Sequence, residues 1–436
     1  MVLILLVGLY LSFSTGFAQI RLLPKALKSF AGKFHFRNLG DNGVSSFQAL
    51  CTALAATVGT GNLAGVAGAI ALGGPGALFW MWVCAFLGMV TKFAEVTLAV
   101  KYRCRNKAGE YVGGPMHMIQ NGLGRRWHWL AFVYCFFGVI ASFGVGNATQ
   151  INAVLESINS VVQSYGGNRS VVLSVTIGII FAILISIMLM GGARRIGKAS
   201  QILIPFVSIV YVVLCFGVLI YKAADIPGAV RSVIVGAFDP RAVTGGMLGS
   251  LYISMRIGAS RGVFTNEAGM GTASIAHASA KVSYPTEQGM MGIVEVFLDT
   301  IVICTLTGLV ILCSGCVIPY GTDVGVSLTT DAFSVVYGRW VNIAISFSLC
   351  CFAVGTILGW GLYGARCAEF LFGASVWKPF VFCQAVVIVV SSFLQTDTIW
   401  LLSETINGLM AIPNLLALTL LSPKLRQLTV RRKQMC

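Results

Sequence analysis

"ATVGTGNLAGVAGAIALGGPGALFWMWV" (Ala56–Val83) decides how this chain folds. It is apolar almost throughout, as a membrane-crossing segment must be. Yet Thr57, Thr60 and Asn62 lie inside it, and Gly59 and Gly61 bracket Thr60. Each glycine weakens a helix by about 1 kcal/mol relative to alanine. A helix interrupted at Gly59–Asn62 frees backbone N–H and C=O groups. In hydrocarbon that is costly unless the freed groups line a cavity or bind something. The N-terminus of the half-helix that follows carries partial positive charge and suits a carboxylate. The carbonyls ending the half-helix before it suit Na⁺, so one break can hold an amino acid and a cation together. The spacings Gly61–Gly65 and Gly65–Gly68 also fit close helix packing through small residues. Gly65 and Gly68 are read that way, and Gly59–Asn62 as a binding break.

The rest of the chain agrees with a membrane setting. Of 436 residues 57% are hydrophobic and 10% charged, against about 25% charged in a soluble domain. Apolar windows predict eleven spans near 2–18, 48–71, 76–100, 129–160, 171–190, 201–221, 244–279, 287–317, 341–365, 376–394 and 399–421. The first has no basic residues before it and several after it, so it reads as a spanning helix with its N-terminus outside, not as a cleaved leader. It is barely long enough, as if a few native residues preceded it. If the loop after it is cytoplasmic, twenty-two of the 30 Lys and Arg fall on that side. They include Arg21, Lys25, Lys28, Lys33, Arg37, Arg125, Arg126, Arg194, Arg195, Lys198, Lys424, Arg426, Arg431, Arg432 and Lys433. Segment 318–340, expected outside, sets Asp323 and Asp331 against Arg339. This asymmetry predicts N-terminus out and C-terminus in, and the expected setting is a cell membrane of bacterial inner-membrane type. It also accounts for the +15 charge without nucleic acid. The thirteen cysteines lie mostly in apolar runs and read as reduced, buried thiols.

A second segment resembles the opening one: "SRGVFTNEAGMGTASIAHA" (Ser260–Ala278), with Asn266 and Glu267 beside Gly269 and Gly271. Setting the first helix aside leaves ten core helices, and the two odd segments become core helices 1 and 6. These are matching positions in two five-helix halves, and because five is odd the halves have opposite topology. Glycine-interrupted segments so placed point to the midplane site of a transporter. The expected organisation is an N-terminal helix and basic loop (1–47), a first five-helix repeat (48–222), a second (223–421) and a basic cytoplasmic tail (422–436).

Longer motifs then carry a resemblance: "TVGTGN", "GGPGALFWMWVCAFLG" (Gly73–Gly88), "GGPM" (Gly113–Met116), "GNATQ" (Gly146–Gln150), "RRIGKASQILIPF" (Arg194–Phe206), "FTNEAGMGTASIAHA" and "GTILGWGLYG" (Gly355–Gly364). Over nearly its whole length the chain resembles the sodium:alanine (alanine or glycine:cation) symporter family. The resemblance implies an all-α polytopic membrane fold similar to the bacterial leucine transporter, a 5+5 inverted repeat with core helices 1 and 6 broken. It implies Na⁺-driven uptake of alanine, with glycine or serine as further substrates. No cofactor is implied beyond Na⁺ as the co-transported ion, and no partner beyond the amino acid and membrane lipids. One departure is His117, where the family usually has an aromatic. The break is also similar to the "VG-x-GN" break of sodium:neurotransmitter symporters, where amides after the first glycine hold the carboxylate. The matching N–H groups belong to Thr60 and Gly61, with Gly59 and Asn62 beside them. The matching Na⁺ carbonyls belong to Ala55 and Val58.

Other positions have two readings each. Thr356 and Trp360 share a face of core helix 8. Thr356 either offers its hydroxyl to substrate or ion, or back-bonds within its helix. Trp360 either caps a small pocket or anchors at the interface. Gln150 either meets the substrate's polar end or bonds a neighbouring helix, and Phe264 is either a pocket wall or packing. Asp299, deep in core helix 7, is a functional candidate by default, with a structural or ion-linked role. Its expected partner is Arg256, Arg261 or Asn266, and Glu295 lies one turn away. Lys92 and Glu95 read as a local i,i+3 pair with a snorkelling lysine. His277 is not expected to hold metal or relay protons. A rival function is a cation channel with "TVGTG" (Thr57–Gly61) as a filter, but the stretch has no second copy and no pore helix before it. An intramembrane enzyme would need a nucleophile–base pair or a metal cluster, and His35, His117 and His128 lie in predicted loops.

Overall fold

The computed structural model describes residues 1–33, 43–107, 109–241, 251–322, 324–393 and 396–433. His35, Arg37, Asp323 and the start of the seventh expected span (244–250) lie outside the described residues. Almost everything described is helical, apart from a hairpin pairing Cys104–Arg105 with Tyr111–Val112. Seven helices are long and apolar enough to cross a membrane, or up to ten if each bent pair is one span, among the described residues.

Helix α1 (Val2–Ser14) has 13 residues, about 20 Å at 1.5 Å per residue, short of a hydrocarbon core of about 30 Å. The span expected over 2–18 stops early because Gly16 and Phe17 take positive φ. The chain then turns 81° into α2 (Ala18–Lys33), which carries Arg21, Lys25, Lys28 and Lys33. Core helix 1 is broken as its glycines require. Its first half is α3 (Ser46–Thr57), begun by a capping box between Ser45 and Gln48. Its second half starts with a π-helical turn at Gly61–Gly65 and continues as α4 (Val66–Gly73), bent 51° from α3. Core helix 2 is α5 (Gly76–Lys101). Core helix 3 runs as α6 (His128–Phe143), a π-helical turn at Gly144–Ala148 and α7 (Thr149–Ser164). Core helices 4 and 5 are α8 (Val171–Leu189) and α9 (Gly192–Tyr221). Helix α10 (Ile226–Phe238), in a region read as loop, lies across α5.

Core helix 6 comprises α11 (Leu251–Asn266) and α12 (Thr272–Ala278), separated by Glu267–Gly271. Core helix 7 is α13 (Pro285–Val296), a π-helical stretch at Phe297–Cys304 and α14 (Thr305–Ser314). Helix α15 (Ser327–Tyr337) lies in the segment read as an outside loop, and Thr329 Oγ1 donates to the Leu63 carbonyl at 3.0 Å. Core helices 8 to 10 are α16 (Val341–Phe372), α17 (Trp377–Ser391) and α18 (Thr396–Leu420), followed by α19 (Ser422–Lys433).

The core sits around α5. Of its apolar window 83% is buried, against 17% for α8, which makes α5 an interior helix and α8 a lipid-facing one. The exposed Ile179, Ile183 and Ile187 on α8 are one helical turn apart, as a lipid-facing stripe requires. The described cysteines are free thiols.

Buried charge is arranged differently from expectation. Lys92 does not snorkel and does not pair with Glu95. It is fully buried, and its Nζ lies 3.2 Å from Glu295 Oε1. The reason is packing: α5 and α13 lie in close contact, so the nearer carboxylate comes from across the interface. Glu295 also accepts from His277 Nε2 at 2.9 Å, and Gln288 links His277 Nδ1 to Ser46 Oγ. One buried chain thus ties α5, α12, α13 and α3.

Candidate functional site

Two close backbone approaches build the site. Gly355 and Gly359, one turn apart on α16, face α3. An added Cβ at Gly359 would sit 2.7 Å from Ala56 Cβ, and one at Gly355 would sit 3.3 Å from the Ala55 carbonyl oxygen. Small residues let the two helices touch along their backbones. That contact carries Thr356 to the end of α3, where its hydroxyl donates to the Ala55 carbonyl at 3.1 Å. It also back-bonds to the Phe352 carbonyl at 3.2 Å, so the back-bonding reading holds. Val58 is extended (φ −76°, ψ 104°), which ends α3.

Beyond Val58 the direction of the backbone polarity reverses. The first amides of the following helix have no acceptor in a preceding turn, so Thr60 and Gly61 present N–H groups where α3 has just presented carbonyls. Asn62 holds this break in place. Its Oδ1 accepts from the Gly59 N–H at 2.8 Å, and its Nδ2 donates to the Asp299 carboxylate at 2.8 Å and backbone carbonyl at 3.1 Å. The side chain of Asn62 is therefore turned away from the cavity and toward core helix 7. Asp299, fully buried, accepts from Asn62 and from Thr300 Oγ1 at 2.8 Å. Neither Arg256 nor Arg261 pairs with it. Asn266 reaches only as far as Thr300 Oγ1, at 3.3 Å. The π-helical stretch around Asp299 carries it on a wider turn than a regular helix would, so its neighbours are not those a 3.6-residue period predicts.

One small cavity gathers the rest. Gly59, Thr60, Gly61, Gln150, Phe264, Thr356 and Trp360 all line it. Ala55, Val58, Asn62, Asn266 and Asp299 lie behind its wall. Gln150 accepts from Thr60 Oγ1 at 3.3 Å and donates to the Val145 carbonyl at 3.2 Å. Trp360 is buried, not interfacial. Gly146, in the π-helical turn of core helix 3, lies against Trp360 so closely that any side chain there would collide with the Trp360 Cβ. The cavity volume is about 10 Å³, room for about one water.

The cavity also has a carboxylate that the sequence reading did not single out. Glu267 lines it, is 3% exposed and has φ +53°. Its Oε1 accepts from the Trp360 indole N–H at 2.7 Å, and its Oε2 from Thr272 Oγ1 at 2.6 Å. Each carboxylate oxygen retains further acceptor capacity. The signal was present, since Glu267 stands in the glycine-interrupted stretch of core helix 6. What was missing was the direction of its side chain, because a broken helix has no periodicity to read. The break itself is pinned from outside. Glu95 Oε1 accepts from the Gly269 and Gly271 amides at 2.9 and 3.0 Å and from Asn414 at 2.7 Å. Gly269 and Gly271 have φ +93° and +79°, a backbone open to glycine.

Residues 1–434 match the sodium:alanine symporter family. The chain is 40% identical over 429 residues to the sodium/alanine symporter AgcS of Methanococcus maripaludis, covering 97% of this chain and 91% of that one. It is 42% identical over 417 residues to an uncharacterised transporter of Haemophilus influenzae, covering 94% and 88%. The structure of MhsT in complex with L-phenylalanine superposes with a TM-score of 0.64 at 16% identity, covering 88% of this chain and 90% of that one. That likeness shows a shared fold.

Proposed function

The chain belongs to the sodium:alanine symporter family, a family of multi-pass membrane transporters and not of enzymes, and from that premise we propose that it takes up alanine with Na⁺ by alternating access. Glycine and serine are the next substrates in this reading. The observation that carries it is the reversal of backbone polarity across one cavity wall. Carbonyls end α3 beside the Thr356 hydroxyl, and helix-start amides follow at Thr60 and Gly61. Na⁺ takes the carbonyl side, with Ala55, Val58 and Thr356 as ligands. The substrate carboxylate takes the amide side, with Gln150 adjoining.

Glu267 completes the assignment. A zwitterion needs a negative partner for its ammonium, and Glu267 is the carboxylate lining the cavity. Trp360 and Phe264 leave little depth for a side chain, which favours alanine over larger residues. A cavity of about 10 Å³ does not admit an amino acid, so α16 and core helices 1 and 6 must separate for loading. Asn62 and Asp299 keep the break in shape. The channel alternative gains no support, because Thr57–Gly61 is packed against Gln150 and Thr356 and does not line a continuous path. With the C-terminus cytoplasmic, inward Na⁺ movement supplies about 2.3 kcal/mol per charge per 100 mV, plus its concentration ratio.

The test is uptake of radiolabelled alanine into proteoliposomes under an inward Na⁺, H⁺ or K⁺ gradient. Concentrative uptake under Na⁺ alone, lost in Gly59→Ala, is the expected outcome. Uptake driven by H⁺ alone would remove the ion assignment. Concentrative uptake of glutamine or leucine but not alanine would remove the substrate.

A further inference from the structure

Two apolar helices give way to basic ones at the same place in this fold. Helix α1 turns 81° into α2 after Ser14, and α18 turns 56° into α19 near Leu421. A turn from an apolar helix into a basic one marks where a chain leaves hydrocarbon for the interface. The two turns are adjacent, with Tyr10 Oη 2.7 Å from Ser422 Oγ. A cleft of about 780 Å³ opens between them, lined among others by Tyr10, Ser14, Ser422, Arg426 and Gln427.

The two chain segments that meet at this cleft carry basic residues and no acidic ones in sequence. Residues 1–33 contain Arg21, Lys25, Lys28 and Lys33, and no Asp or Glu. Residues 408–436 contain Lys424, Arg426, Arg431, Arg432 and Lys433, and again no Asp or Glu. Arg426 is exposed and makes no ion pair among the described residues. Arg21 donates to the Thr15 carbonyl, beside the bend. On the hydrocarbon side, α1 shows an exposed apolar stripe of Leu6, Leu9 and Phe13 leading up to Tyr10 and Ser14. A soluble anion would use the guanidinium and leave the stripe bare. A lipid uses both.

We propose that the cleft between α1 and α19 binds the headgroup of an anionic phospholipid of the phosphatidylglycerol type. The Arg426 guanidinium takes the phosphodiester. Ser14, Tyr10 and Gln427 bond the glycerol hydroxyls, and the acyl chains run along Leu6, Leu9 and Phe13. Guanidinium suits this task because its fork of N–H donors matches two phosphate oxygens at once. Bound lipid then staples the N-terminal helix to the last one.

The test is thermal unfolding of the full-length protein in detergent, titrated with phosphatidylglycerol. Phosphatidylcholine and inorganic phosphate serve as separate arms. The variants are Arg426→Gln, Gln427→Trp (which fills the cleft without changing charge) and Lys198→Gln, an exposed basic residue at the start of α9. The expected result is saturable stabilisation by phosphatidylglycerol alone. Arg426→Gln should weaken apparent affinity about fivefold, the equivalent of about 1 kcal/mol per basic residue at an anionic surface. Gln427→Trp should weaken it too, and Lys198→Gln should not. Equal stabilisation by phosphatidylcholine would overturn the proposal. So would equal losses at Arg426 and Lys198, or competition by inorganic phosphate as effective as the lipid.

Discussion

Gly59 has no room for a side chain: a Cβ there would lie 2.6 Å from Thr356 Oγ1. The Thr356 hydroxyl cannot retreat without giving up its bond to the Ala55 carbonyl, because both sit on backbones in contact. Gly59→Ala is therefore expected to abolish Na⁺-driven uptake while the protein still folds, checked by uptake beside a melting curve. At Thr356 the hydroxyl and the volume are separable. Thr356→Ser should transport with an apparent Na⁺ affinity within a few-fold of wild type. Thr356→Val, isosteric but without the hydroxyl, should lose about tenfold or more, because the ion loses one of its oxygen ligands. Equal Na⁺ dependence in Ser and Val would remove Thr356 from the ion site. Trp360 sets the depth of the cavity, so Trp360→Ala should shift uptake from alanine toward leucine in competition assays.

At the scale of elements, the buried chain Lys92–Glu295–His277–Gln288–Ser46 ties four helices together. Removing one member of a buried ion pair leaves the other charge uncompensated, at a cost of about 3–5 kcal/mol. Lys92→Met alone should therefore lower Tm sharply. The double variant Lys92→Met/Glu295→Gln should recover part of that loss. A second element carries a pH dependence. His117, on the short helix Pro115–Met118 after the hairpin, is held down to about 4, first by burial and then by the nearby Arg366 charge. Its folded value is below its unfolded value of about 6.5, so the stability it contributes is intact above about 6.5. That stability is lost as pH falls toward 4. The expected fall in Tm over that window should flatten in His117→Phe, which keeps the edge contact with the Phe370 ring.

At the scale of the molecule, helices far apart in sequence meet through few polar contacts. Arg366 of α16 pairs with Glu110 of the hairpin at 2.8 Å and with Glu369 on its own helix. Arg103 donates to the Ala278 and Ala280 carbonyls, which end core helix 6. The hairpin thus fastens α16 and core helix 6 at one end of the molecule. Glu110→Gln loosens that end without touching the cavity. Its expected effect is faster labelling of an engineered Thr57→Cys from the tail side of the membrane, with alanine affinity in equilibrium binding changed less than twofold to threefold, as for a partly exposed ion pair. Labelling at the wild-type rate would show that the fastening lies elsewhere.

Much of this protein was legible in its residues alone. Hydropathy marks the membrane class and the long apolar helices, though not α10 and α15, because a bilayer penalises every polar group in the same way along the chain. The glycines and polar residues at Gly59–Asn62 and Asn266–Gly271 marked both breaks, and the long motifs marked the family. Tertiary structure decided where the freed groups point. The sequence places Asn62 at the binding break, and the structure turns its side chain to Asp299, 237 residues away. Helical spacing pairs Lys92 with Glu95 on its own helix, and the structure pairs it with Glu295 on another. Glu267 stands in a stretch without helical periodicity, and its carboxylate faces the cavity. Periodicity reports which residues share a face while a helix is regular. It says nothing across a break, through a π-helical turn, or about which helix supplies the facing partner.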